Sequence, residues 1–324
     1  MTEGNKTENR ISIEMAPMEG ITTATFRRVY AKWFAGVDRM YTPFLAANQT
    51  HKFKTREKKE TEQYSPDLVP QILTDKAEHF IWAAKELKLL GYTEVNLNAG
   101  CPSATVTIKK KGAGMLRDLA AMRSFLDIIF GGDEAGDMPE ISIKTRAGVS
   151  SCDEADEIAV LYSGYPFSAI IVHPRSRDDQ YDNTPDLKAF GAFYERISHD
   201  RLVFNGDIRS VKDAEKILDH FPGIRGIMTG RGLLADPFLP ERIRSRESMG
   251  DVGFSDREKA IVHGFLTELY DEYERDLSEG TALLKMKDLW NFMAVSFPDS
   301  EKKLKAIRKA RSGLEYKAAV KSIL

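Results

Sequence analysis

The sequence predicts an α/β fold: a (β/α)8 TIM barrel followed by a small all-helical C-terminal domain. Three observations carry this reading. Short apolar, β-branched runs alternate eight times with helix-like patterns over about 240 residues, the size of such a barrel. Polar side chains gather where those runs end. From Ser255 onward no strand-like run remains. Alternation alone also allows a doubly wound sheet. The first strand–helix turn lacks the GxGxxG loop of a dinucleotide-binding sheet, which favours the closed barrel.

The elements follow in order. Ile11–Ala16 reads as the first strand and Thr22–Phe34 as its helix. Arg39–Phe44 is the second strand. Asp67–Leu73 is the third, with a helix from an N-cap at Thr74 to Leu90, stopped by Gly91. Thr93–Asn98 precedes a helix near Leu116–Phe130, and Glu140–Thr145 precedes one near Cys152–Ser163. Phe167–His173 leads to Asp186–His199, and Leu202–Asn205 leads to Ser210–His220. Ile224–Thr229 is the eighth strand, followed by the segment from Gly232. Beyond it, helices are expected at about Asp256–Leu277, Thr281–Ser296, Ser300–Arg311 and Leu314–Ile323. The domain boundary is expected after Arg246, giving residues 1–246 and 247–324.

Of the 324 residues, 42% are hydrophobic and 10% aromatic, enough for a large packed core and too many for a disordered chain. A net charge of −2 excludes a protein made basic throughout to coat nucleic acid, but not a local basic patch. The last forty residues hold ten Lys and Arg against four Asp and Glu. Two cysteines make no disulfide framework, and no Cys/His cluster points to a metal. The N-terminus is polar, without a signal-peptide core, and no apolar run reaches the roughly 20 residues of a membrane helix. A cytoplasmic protein with no membrane partner is expected, working as a monomer.

Barrel active sites form at the C-terminal ends of the strands. Those ends read Ala16-Pro17-Met18, Thr42-Pro43, Gln71, Asn98-Ala99-Gly100-Cys101-Pro102, Lys144-Thr145-Arg146, His173-Pro174-Arg175, Asn205-Gly206-Asp207 and Thr229-Gly230-Arg231-Gly232. A lone cysteine is usually a small buried hydrophobe. Cys101 instead sits in a Gly-Cys-Pro turn leaving a strand, which presents its thiol outward. Cys152 lacks such a setting and reads as structural. Lys144 ends a buried strand, where an unpaired lysine is costly; the bland alternative is a lysine snorkelling to the rim. His173 alone would pass for a core histidine, and Gln71 for a helix cap or barrel plug. The last two strand ends, with Gly206, Gly230 and Arg231, offer backbone N–H groups and a guanidinium to a phosphate-bearing cofactor. Lys109-Lys110-Lys111, close after the Cys101 turn, suits a polyanionic substrate. The charged stretch His51–Glu62 reads as a solvated face.

The run Val95-Asn96-Leu97-Asn98-Ala99-Gly100-Cys101-Pro102, then Val106 and Gly112-Ala113, resembles the signature of the tRNA-dihydrouridine synthase family at every fixed position. The resemblance implies an FMN-dependent oxidoreductase that reduces the C5–C6 double bond of uridine in tRNA, with NADPH as reductant. It implies Cys101 as the proton donor. It implies cofactor contacts from Pro17, Met18, Gln71, Lys144 and His173, and phosphate-binding turns at Asn205, Gly206, Asp207, Gly230 and Arg231. Asn98 and Arg175 are the candidates for holding the uracil, and the helical domain would help to hold tRNA. The competing reading is an FMN barrel oxidoreductase acting on a small pyrimidine or enone; it needs no basic C-terminal tail. A non-catalytic RNA-binding module would not need Cys101 or the phosphate turns, and both are present.

Overall fold

The computed structural model describes residues 10–62, 65–249, 253–297 and 300–324. The polar N-terminus through residue 9 and Asp299 of the basic tail lie outside the described residues. Unit one pairs β1 (Ser12–Met15) with α1 (Ala24–Trp33). Unit two has β2 (Arg39–Tyr41), β3 (Leu45–Ala46) and α2 (Thr55–Lys59). Unit three has β4 (Leu68–Val69), β5 (Gln71–Leu73) and α3 (Ala77–Leu89). Unit four has β6 (Glu94–Ala99), α4 (Ala104–Thr107) and, after a 3₁₀ turn at Gly112–Arg117, α5 (Leu119–Gly131). Then come β7 (Glu140–Gly148) with α6 (Ala155–Ser163), β8 (Ile170–Ser176) with α7 (Leu187–Arg196), and β9 (Leu202–Asn205) with α8 (Val211–His220). Unit eight has β10 (Gly226–Thr229), α9 (Arg231–Ala235) and α10 (Leu239–Ser245). The chain finishes on α11 (Asp256–Asp276), α12 (Glu279–Met293), α13 (Glu301–Lys309) and α14 (Gly313–Ile323).

All strand pairings are parallel, in the order β3-β5-β6-β7-β8-β9-β10-β1-β2-β4. The sequence expects eight strands and the described residues form ten, because two of them are split by proline. Pro43 separates β2 from β3, and Pro70 separates β4 from β5; a proline has no N–H for the ladder. Pro70 also closes the ring. On one side of it, β4 pairs with β2; on the other, β5 pairs with β6. The doubly wound alternative therefore does not hold. Helix starts were legible to within a few residues. Thr74 is the clearest shift: its hydroxyl accepts from the Lys76 amide, so it shapes the turn, and Lys76 is the N-cap of α3.

Strand periodicity positions the site. Successive side chains alternate between the barrel lumen and the helix-covered outside. Val95, Leu97, Ile141, Ile143, Ile170 and Val172 pack outward into the main core. Their neighbours Asn96, Asn98, Ser142, Lys144, Arg146, Ile171, His173 and Arg175 take the other face. An inner apolar layer of Ala16, Tyr41, Val69, Ile171, Val203 and Met228 plugs the lumen. Above this plug the polar side chains meet at the C-terminal mouth.

A further core joins Phe26, Val29, Tyr30 and Phe34 of α1 to Leu233 and Leu234 of α9 and to α11–α14. Phe265 of α11 packs edge-on against Phe26, Tyr30 and Phe34. Thr25–Asp276, Arg28–Glu272 and Lys32–Glu268 lace the same seam outside. The helical region is thus packed onto units eight and one by a shared apolar core.

Candidate active site

Two adjoining recesses open at the mouth, with empty volumes of ≈ 530 and ≈ 830 Å³ that include space open to solvent. They share Pro17, Met18, Lys144, His173 and Tyr181 as a common wall. The first continues over Asn205, Gly206, Asp207, Arg209, Gly230 and Arg231. The second continues over Gln71, Asn98, Cys101 and Arg146.

The first recess is built for an anion. Asp207, in the left-handed region at φ 45, holds Arg175 at 2.5 Å, Arg209 at 3.4 Å and also Arg231. Burial opposes charge on this carboxyl, but the Arg175 hydrogen bond and the three guanidiniums prevail and lower its pKa. Three cations on one carboxylate leave positive charge over. The cradle is also tight: a Cβ at Gly230 would lie 3.2 Å from both Ala16 Cβ and Met18 Sδ. Asn205 Nδ2 donates to the Met228 carbonyl and ties the last two strands together. Guanidiniums, close-approach glycines and a wall running to Lys144 fit a flat cofactor with a phosphate tail.

The second recess is built around the thiol. Asn98 Oδ1 accepts from the Gly100 and Cys101 amides at 3.2 and 3.0 Å, fixing the turn. Its Nδ2 donates to Gln71 Oε1 at 2.7 Å; Gln71 Nε2 donates to Asn96, and Asn96 donates to Ser142. This lumen chain sets the orientation of both Asn98 and Gln71. Behind Cys101, the Ala113 amide donates to its carbonyl, and Arg146 Nε donates to the Gly100 carbonyl. Burial raises the Cys101 pKa, against the pull of the Ser103 amide, Arg146 and Lys144. The group is therefore a thiol at neutral pH, able to give a proton. Burial, and then Arg146, bring Lys144 down to about 7.

His173 Nε2 accepts from Arg175 Nη1 at 2.8 Å. Burial and four nearby cations hold the imidazole well below its ordinary pKa, so it is neutral. Arg175, expected to face substrate, is 1% exposed and lines neither recess. Its guanidinium is spent on His173, the Asp182 and Asn183 carbonyls, and Asp207. It is a positioning residue. The other expected site residues all line one or both recesses. Cys152 lines neither recess, its thiol lying 3.9 Å from Asp179.

Two site residues had been given no role. Arg146 lies two positions beyond Lys144 on the same strand face, so strand periodicity could have found it. Tyr181 comes from the β8–α7 loop, between left-handed Gln180 and Asn183. Its ring lies under the guanidiniums of Arg146 at 5.4 Å and Arg231 at 4.9 Å. No local sequence pattern marks it. Among the described residues no cluster of His, Cys, Asp or Glu could hold a metal, and no helix is long and apolar enough to cross a membrane.

A thiol-bearing recess beside an anion cradle, at the C-terminal mouth of a TIM barrel, defines a cofactor-using barrel enzyme. Comparison with known proteins gives the particular family. The sequence model described as "Dihydrouridine synthase (Dus)" matches residues 14–320. A probable tRNA-dihydrouridine synthase of Rhodobacter capsulatus is 31% identical over 229 residues, covering 69% of this chain and 68% of that one. A probable tRNA-dihydrouridine synthase 2 of Bacillus subtilis is 27% identical over 274 residues, covering 81% and 79%. The crystal structure of TcOYE with pHBA aligns at a TM-score of 0.51 with 8% identity, covering 72% of this chain and 89% of that one. A morphinone reductase in complex with tetrahydroNAD aligns at 0.50 with 12% identity, covering 73% and 87%. These two likenesses concern the fold. The chain belongs to the dihydrouridine synthase family, and is accordingly an FMN-dependent oxidoreductase reduced by NAD(P)H.

Proposed function

We propose that the protein reduces the C5–C6 double bond of uridine in tRNA, with NADPH as reductant and Cys101 as proton donor. The observation that carries this reading is the Cys101 thiol, held in the substrate recess by Asn98 and kept protonated by burial. Bound FMN, once reduced, supplies the hydride for C6 of the ring. Charge then builds on C5 and the C4 carbonyl, and a positioned acid must quench it. Cys101 gives its proton to C5. Arg146 and Lys144 both favour the thiolate left behind, which solvent re-protonates. Arg146 lines the same recess and supports the role of steadying a carbonyl oxygen that Arg175 was expected to fill. Asn98, with Oδ1 and Nδ2 both engaged, orients Cys101 and Gln71 and closes the wall of the recess.

The uridine must leave its stack to enter the recess. Exposed Lys302, Lys303, Lys305, Arg308 and Lys309 on α13 support an RNA partner. A tRNA substrate fits the cytoplasmic location expected from the sequence. The test is Cys101→Ala. The variant should keep its yellow flavin and its flavin reduction by NADPH, but form dihydrouridine at least about a hundredfold more slowly. A variant that reduces uridine at the normal rate removes Cys101 from the mechanism. Rapid reoxidation of the reduced wild-type flavin by a small enone, with none by tRNA, favours the small-molecule reductase.

A further inference from the structure

A recess outside the active site lies on the rim over units three and four, across the mouth from the helical region. It is lined by Asp75 and Lys76 at the start of α3, by Thr107, Ile108, Lys110, Met115 and Arg117 beyond Cys101, and by Met122 and Phe125 of α5. Three features set it apart. Lys76, Lys110 and Arg117 are exposed, while the two carboxylates are engaged: Asp118 caps α5, and Asp75 faces Lys111 at 3.7 Å. Ile108 stands 78% exposed among these cations, an apolar side chain left uncovered. On the wall, Thr107 is 1% exposed and its hydroxyl has no hydrogen-bond partner among the described residues. That hydroxyl is closed off from the recess, so the site rests on the cations and on Ile108.

The neighbouring surface continues the theme. His51 stacks on Trp82 of α3 at 5.1 Å, with Phe53 against the same ring, and Lys52 and Lys54 are exposed beside them. Cations interleaved with aromatic and apolar faces are what single-stranded nucleic acid uses: phosphates meet the charges, and sugars or bases meet the apolar faces.

We propose that this rim recess is a second RNA-contact site, with backbone phosphate on Lys76, Lys110 and Arg117, and the attached sugar or base over Ile108. The inference rests on the reading of tRNA as substrate. RNA held here and on the basic α13 would touch the barrel rim and the helical region at once. The same peptide carries the catalytic turn, since α4 begins three residues after Cys101 and Ala113 bonds back to its carbonyl.

The test measures binding of unmodified tRNA to the FMN-loaded protein across a salt series. A triple variant, Lys76→Glu, Lys110→Glu and Arg117→Glu, should weaken binding about tenfold or more and flatten the log–log salt slope by about 2. NADPH-dependent flavin reduction should be unchanged. Ile108→Ala should weaken binding several-fold with the slope intact. Reversing the exposed Lys188, Lys212 and Lys216 on the distant α7 and α8 should do neither. If the wild type binds and reduces tRNA while the rim triple keeps its affinity and slope, the recess is not an RNA site, and the proposed function stands. Equal losses in both triples would assign the effect to net charge and overturn the proposal. If the wild type neither binds nor reduces tRNA, both readings fall.

Discussion

Lys144 is the side chain whose charge is most finely balanced. Its pKa near 7 follows from burial and from Arg146, with Cys101 acting the other way. A lowered lysine pKa means that the ammonium is lost as pH rises through about 7. An anionic group bound beside it would raise the pKa again, so binding takes up a proton between the two values. FMN affinity should therefore weaken above pH 7, by up to about tenfold per pH unit, as read by fluorescence titration. Lys144→Met should flatten that dependence; identical profiles would detach Lys144 from the cofactor. At this scale the sequence was informative where a residue's neighbours along the chain define its setting. Cys101 in its turn, Lys144 ending its strand and the glycines of the last two units were legible that way. Arg175 was not: its guanidinium is consumed by partners from the β8–α7 loop and from β9's end, which strand periodicity does not encode. Tyr181 was missed for the same reason.

Elements were legible where hydrophobic period and breakers agree. β9 matches its expected bounds, and the start of α8 is fixed by the Ser210 cap. The interruptions by Pro43 and Pro70 were visible as residues but not as closure of the ring, which depends on pairing between distant strands. A tightly constrained connection follows Cys101. Gly112 has φ +56, and a Cβ there would lie 2.8 Å from the Cys101 carbonyl and 3.0 Å from its Cβ. Gly112→Ala should therefore cost about 1–3 kcal/mol in thermal or denaturant unfolding. It should also slow product formation while flavin content is retained, because the displaced atoms belong to the turn that carries Cys101, the proposed proton donor. Unchanged stability and rate would show that the turn adapts freely and that its geometry is not what holds the acid.

For the whole molecule, the sequence separated a barrel from a helical tail but could not show how they join. Met15, α1 and α9 share one core with α11–α14, so the helices sit on the barrel at a fixed place beside the mouth. The lumen plug below and the polar ring above leave the C-terminal end open, where the anion cradle and the thiol meet. The proposed reaction belongs at that end. It is tested most directly by incubating the FMN-loaded protein with NADPH and unmodified tRNA, then mapping dihydrouridine position by position. The expected result is NADPH-dependent dihydrouridine at a defined tRNA position, abolished by Cys101→Ala. A flavin-loaded protein that consumes NADPH yet leaves every tRNA uridine intact would contradict it.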